Sequence, residues 1–134
     1  MKFFVDNCLA PHIARAIDQF LKPQGHCAVH LRDKFKPNTK DEDWISQLAA
    51  EGDWVVISGD YHITKKPILK EAWKSSGLAG FFFTKGFAEL RPDQQMARIV
   101  LLLEDMIDAV EHNKFGNTIM VKGNARGKKD FAAG

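Results

Sequence analysis

Apolar positions along the chain follow two periods that take turns. Short runs rich in aromatic and β-branched residues, at 2–5, 27–31, 54–58, 80–83 and 118–121, have the length and content of strands. Between them the period lengthens to that of a helix. Leu9, Ile13, Ile17 and Leu21 recur every four residues behind Pro11, which suits a first helical turn, and Pro23 and Gly25 stop the pattern. A second helix follows Thr39, and a shorter one is expected over 66–76. The longest covers 92–112, where Met96, Ile99, Val100, Leu103, Ile107 and Val110 form one apolar stripe that reads as core.

Strand and helix alternating in this way predict a mainly parallel sheet of about five strands with right-handed crossovers. Helices then cover both faces, giving a three-layer α/β/α sandwich. Ligands in such sheets bind beyond the carboxyl ends of the strands, where strand order reverses, commonly between the first and third strands. Those two strands end at Asp6 and Asp60. Two carboxylates facing one crevice repel each other, and a shared cation relieves the repulsion. The stretch TKDEDW, residues 39–44, adds acids at a helix start on the same edge. Thr39 and Glu42 match a capping box, and acids in a first turn are favoured by the helix dipole. Asp41, and less strongly Asp43, are left over as candidates for the site.

Composition changes this picture little. A chain of 134 residues with 45% hydrophobic and 27% charged content is expected to form one domain, and its longest apolar runs are too short to cross a bilayer. An acid at position 6 interrupts any secretory signal, so the expected location is cytoplasmic. Cys8 and Cys27 have no metal-binding spacing and read as reduced structural thiols outside the chemistry. The net charge of +2 is small, but five basic residues stand against Asp130 after His112. Residues 1–121 are therefore taken as the domain. Residues 122–134 are taken as a basic, flexible tail able to attract phosphate.

The opening MKFFVDN, the DEDWI helix start and the ISGD strand end resemble the PIN-domain nucleases, particularly compact PIN-like proteins of the VapC-type toxin group. The resemblance runs over roughly residues 1–121. It implies a Mg²⁺- or Mn²⁺-dependent ribonuclease leaving 5′-phosphate and 3′-hydroxyl ends, with Asp6, Asp41 and Asp60 as catalytic metal ligands. It also implies an antitoxin protein as partner. Carboxylate ligands agree with such a hard cation. Asn7 and Ser58 are candidates for supporting hydrogen bonds, and Glu42, Asp43 and His62 for secondary roles. One departure stands out: after Asp60 the chain reads Tyr61, His62, Ile63, Thr64, Lys65, with no fourth acid before Glu71.

Cations flank the acids in sequence. Lys34, Lys36 and Lys40 precede the acidic helix, and Lys65, Lys66, Lys70 and Lys74 follow Asp60, so Lys36, Lys40, Lys65 and Lys66 are candidate RNA contacts. His26 and His30 share a strand face without a third partner and read as packing or surface residues. Trp44, Trp54 and Trp73 read as core. GFFFTKGF, residues 80–87, suits either a buried strand or a homodimer surface. Two other assignments use the same sheet. A phospho-acceptor receiver domain would use Asp6, Asp60, Thr84 and Lys122, although Asn7 replaces the second acid it needs. The other is an inactive PIN-like binding module.

Overall fold

The computed structural model describes all 134 residues, Met1–Gly134. Six strands form one sheet in the order β2-β1-β3-β4-β5-β6, with β1 at Lys2–Val5, β2 at Cys27–His30, β3 at Trp54–Ser58, β4 at Ala79–Phe83, β5 at Thr118–Val121 and β6 at Phe131–Ala133. The first five run parallel, and β6 pairs antiparallel to β5. The helices are α1 (Pro11–Leu21), α2 (Leu31–Lys34), α3 (Asp41–Glu51), α4 (His62–Lys65), α5 (Pro67–Ser76) and α6 (Pro92–Glu111).

Side chains alternating across the strands divide the interior into two cores. Phe3, Val5, Val55, Ile57, Phe81 and Phe83 face α1 and α6, where they meet Ile13, Ile17, Ile99, Leu102 and Met106. Phe4, Val56 and Phe82 point to the other face and pack with Trp44, Leu48, Ile63, Leu69 and Trp73 from α3, α4 and α5. Every residue of β3 is buried because it is central and covered on both sides. All four phenylalanines of GFFFTKGF are 0% exposed, so that stretch offers no dimer surface. Burying each such ring contributes about 2–3 kcal/mol. Two close approaches depend on glycine: a Cβ at Gly80 would lie 2.5 Å from the Trp73 indole, and one at Gly123 would lie 2.5 Å from the Lys85 carbonyl oxygen.

Two expectations are corrected. Residues 122–134 are folded, not a loose arm. Phe131 packs on Phe81 and Phe115 with ring centroids 5.6 and 5.9 Å apart, Ala125 is buried, and Lys128 pairs with Asp108. One apolar ring in a basic stretch is enough to anchor a three-residue edge strand against β5. The capping box at Thr39 and Glu42 does not form. Helix α3 begins one residue later than that box requires, with Lys40 at the N-cap, while the Thr39 hydroxyl donates to the Lys36 carbonyl at 2.7 Å. Asp41, Glu42 and Asp43 still fill the first turn, where the dipole favours them.

Candidate active site

Strands β1 and β3 lie side by side and end alike. Each is followed by an aspartate whose carboxylate accepts the backbone N–H two residues on: Cys8 N–H to Asp6 at 3.2 Å, and His62 N–H to Asp60 at 3.0 Å. These two Asx turns bend the chain off the sheet edge and hold both carboxylates there. Asp6 is 2% exposed. Burial pushes its carboxyl up to about 6, with Asp60's negative charge adding to the rise and hydrogen bonds from Cys8 and Ser58 opposing it. The Cys8 thiol donates to Asp6, accepts from Gly59 N–H at 3.0 Å and lies 3.6 Å from the Ser58 hydroxyl. Cys8 as a residue is exposed, but its thiol is turned onto Asp6, where desolvation and then the charge of Asp6 push it well above the ordinary thiol range. Cys8 therefore acts as a donor beside Asp6 and not as a nucleophile.

Asp60 and Asp41 are joined by His62. Its Nδ1 donates to Asp60, and its Nε2 donates to Asp41 Oδ2 at 2.9 Å. Trp44 Nε1 donates to the other Asp41 oxygen at 2.9 Å, fixing the carboxylate from within α3. Hydrogen bonds to the two acids push His62 up to about 10, so at neutral pH it is an imidazolium with both nitrogens donating. The same bonds hold Asp41 and Asp60 below the usual carboxylate range. A protonated histidine thus sits between two of the three acids expected to hold a metal, Asp41 and Asp60, and makes no hydrogen bond to Asp6. His62 was expected to be of secondary importance, because its role depends on α3 docking beside the end of β3. The D-x-H spacing that matches D-x-C at β1 is the local signal of the turn.

The remaining candidates scatter around this centre. Ser58 is buried, and its hydroxyl accepts the Asp60 N–H at 3.4 Å. Asn7 turns away from the acids and accepts from Arg32 Nε at 2.8 Å, tying the end of β1 to α2. Glu42 and Asp43 are exposed and make no side-chain hydrogen bond. Lys40 and Lys66 line, with Asp41 and Glu42, a groove of about 460 Å³ beside the acids. Lys65 lies over the Tyr61 ring at 4.3 Å, and Lys36 is exposed. Lys34 is engaged elsewhere, paired with Glu51 at 3.0 Å. His30 is buried, His26 takes the Met1 ammonium at 2.8 Å, and the three tryptophans are core. Lys122 makes no ion pair with Asp6 or Asp60, so the lysine contact that defines a receiver site is absent.

The donor chemistry suits a hard divalent ion, since Asp6, Asp41 and Asp60 offer only carboxylate oxygens. Their present arrangement differs from a ligand shell: no three His, Cys, Asp or Glu side chains are disposed around one ion. Asp6 is held by Cys8, and the other two acids by His62. The largest cavity, about 610 Å³, lies at the opposite edge of the sheet beside Met1, His26, Asp53 and Gly77, far from this chemistry. No helix is long and apolar enough to cross a membrane.

A family model described as a PIN like domain matches residues 1–85, which hold β1 to β4 and all three aspartates. No curated protein and no solved structure matches the chain.

Proposed function

This chain belongs to the family of PIN-like domains, and from that premise we propose that it is a metal-dependent ribonuclease. Asp6, Asp41 and Asp60 would hold Mg²⁺ or Mn²⁺, which when bound lowers the pKa of a water and neutralises charge on the phosphate oxygens. The carrying observation is that Asp41 and Asp60 grip one cation, the His62 imidazolium, at the end of β3, with Asp6 close enough for the charge of Asp60 to raise its pKa. A centre that already binds a positive group through two carboxylates has the charge and spacing to exchange it for another. Trp44 and Ser58 keep Asp41 and Asp60 in place during that exchange, and the Cys8 thiol steadies Asp6. Lys40 and Lys66 flank the acids and would position the RNA backbone without reading its bases.

The test is cleavage of single-stranded and structured RNA with Mg²⁺ or Mn²⁺. Activity that is lost with EDTA and falls at least a hundredfold in Asp6→Asn and Asp60→Asn supports the assignment, whereas activity surviving both substitutions overturns it. On the same reading the protein serves as the toxin of a toxin–antitoxin pair. Induced expression then arrests growth, and Asp60→Asn does not.

A second reading has one observation in its favour. His62 bridges Asp41 and Asp60 in a closed arrangement with no three side chains disposed around an ion, which suits a binding module without catalysis. RNA binding that persists in the Asp6→Asn/Asp60→Asn protein, with no cleavage under any metal, would favour it.

A further inference from the structure

A second site lies on the same sheet edge, where β4 and β5 end. Thr84, Lys85 and Gly86 follow β4, Lys122 and Gly123 follow β5, and Arg98 reaches in from α6 to line a pocket of about 410 Å³. No carboxylate lines it, and neither Lys85, Lys122 nor Arg98 belongs to an ion pair. Arg98 Nη1 donates to the Ala125 carbonyl at 3.0 Å, which fixes the guanidinium. Its Nε is the only buried side-chain nitrogen or oxygen in the protein without a hydrogen-bond partner. That nitrogen is enclosed by protein, so an anion in the pocket would meet the positive charge of the guanidinium and of the two lysines.

The backbone is built for this juxtaposition. The Lys85–Phe87 turn lies directly against Gly123, where a Cβ would come within 2.5 Å of the Lys85 carbonyl oxygen and 2.9 Å of the Phe87 nitrogen. That contact brings the two lysine-bearing loops together. Ser58 pairs with Phe82 across β3 and β4, so Asp60 and Thr84 each stand two residues past the same rung. Acids therefore end β1 and β3 while cations end β4 and β5, at strand spacings of about 5 Å.

We propose that this pocket is a phosphate-binding subsite that holds the backbone of an RNA strand whose scissile region lies over Asp6, Asp41 and Asp60. The proposal rests on the ribonuclease reading for its ligand. Its phosphate chemistry stands on Lys85, Arg98 and Lys122.

Binding is measured by fluorescence anisotropy of a labelled twelve-nucleotide single-stranded RNA in EDTA, over a range of KCl concentrations. Lys85 and Lys122 are exposed, so a K85Q/K122Q protein keeps its fold. Its affinity is expected to fall about tenfold or more, and the slope of log K against log salt to shrink by about 1.4, the value for two lost phosphate contacts on a single strand. An unchanged affinity and slope, or a wild type that binds no RNA, overturns the subsite. A mononucleotide that competes as well as the RNA at equal concentration overturns the backbone assignment. Because no metal is present, the two ideas fail separately. Weakened binding in K85Q/K122Q from a wild type that never cleaves RNA supports the subsite and removes the ribonuclease. Metal-dependent cleavage lost in Asp60→Asn, with K85Q/K122Q binding normally, does the reverse.

Discussion

At the scale of single residues, His62 carries the most consequence. Its imidazolium bridges Asp41 and Asp60 and offsets one of their two negative charges, and on the proposed reading a divalent ion would compete with it there. His62→Gln removes that competitor, so Mn²⁺ affinity measured by titration calorimetry is expected to rise several-fold. Metal-free stability should fall, because two acids then face each other uncompensated. Each group is about one-third exposed, so solvent screening limits the loss to about 1 kcal/mol, or roughly 3–5 °C in Tm. Weaker Mn²⁺ binding in the variant would make His62 a ligand and not a stand-in.

His30 sets a separate pH dependence. It is buried, its Nε2 donates to the Leu9 carbonyl at 2.6 Å, and its Nδ1 accepts the Arg32 N–H at 3.0 Å. A second proton on Nδ1 would displace that bond, and burial lowers the pKa from its ordinary 6.5. The native state therefore binds fewer protons than the unfolded chain. Stability from His30 is complete above about pH 6.5 and is lost as pH falls from there through the lowered native value. Asp6 and His62, whose values are raised, act in the opposite direction over this range, so the His30 contribution is read as the difference in denaturant midpoint between the wild type and His30→Gln, which should shrink as pH falls from 8 to 5.

At the scale of elements, what was legible in the sequence divides by length and by locality. Strands β1 to β5 and helices α1, α3, α5 and α6 each bury several side chains of one period, and each was readable from that repetition. Helices α2 and α4 and strand β6 contain three or four residues, too few to express a period. Asp6 and Asp60 were readable as neighbours because parallel topology puts β1 beside β3. The Asp41–His62–Asp60 bridge was not, since it joins positions 21 residues apart through the docking of α3. The same limit hid Gly80, whose missing side chain admits the Trp73 indole at the junction of α5 and β4. Gly80→Ala is expected to cost about 1–3 kcal/mol by overpacking, readable as a lower urea midpoint with an unchanged m-value. An unaffected midpoint would mean that the indole moves aside freely.

At the scale of the whole molecule, the candidate site and the anchoring of the last strand stand apart in the strand order. Asp6 and Asp60 follow β1 and β3, whereas β6 pairs with β5 at the sheet's outer edge and is held to the apolar core. Phe131 links the last strand to that core, and Phe131→Ala should remove about 3 kcal/mol while leaving Asp6 and Asp60 undisturbed. Loss of thermal stability without loss of metal binding would verify the separation. The PIN-like match ends at residue 85, yet α6, β5 and β6 complete the core beneath the site.

The central claim is that Asp6, Asp41 and Asp60 form one divalent-ion site that His62 guards in the metal-free state. A crystal structure with Mn²⁺, using anomalous scattering to locate the ion, tests it most directly. The account predicts one peak within roughly 2.0–2.6 Å of oxygens from all three aspartates, with the His62 ring withdrawn from between Asp41 and Asp60. Crystals that bind no ion there at millimolar Mn²⁺, with the imidazole still bridging the two acids, would contradict it.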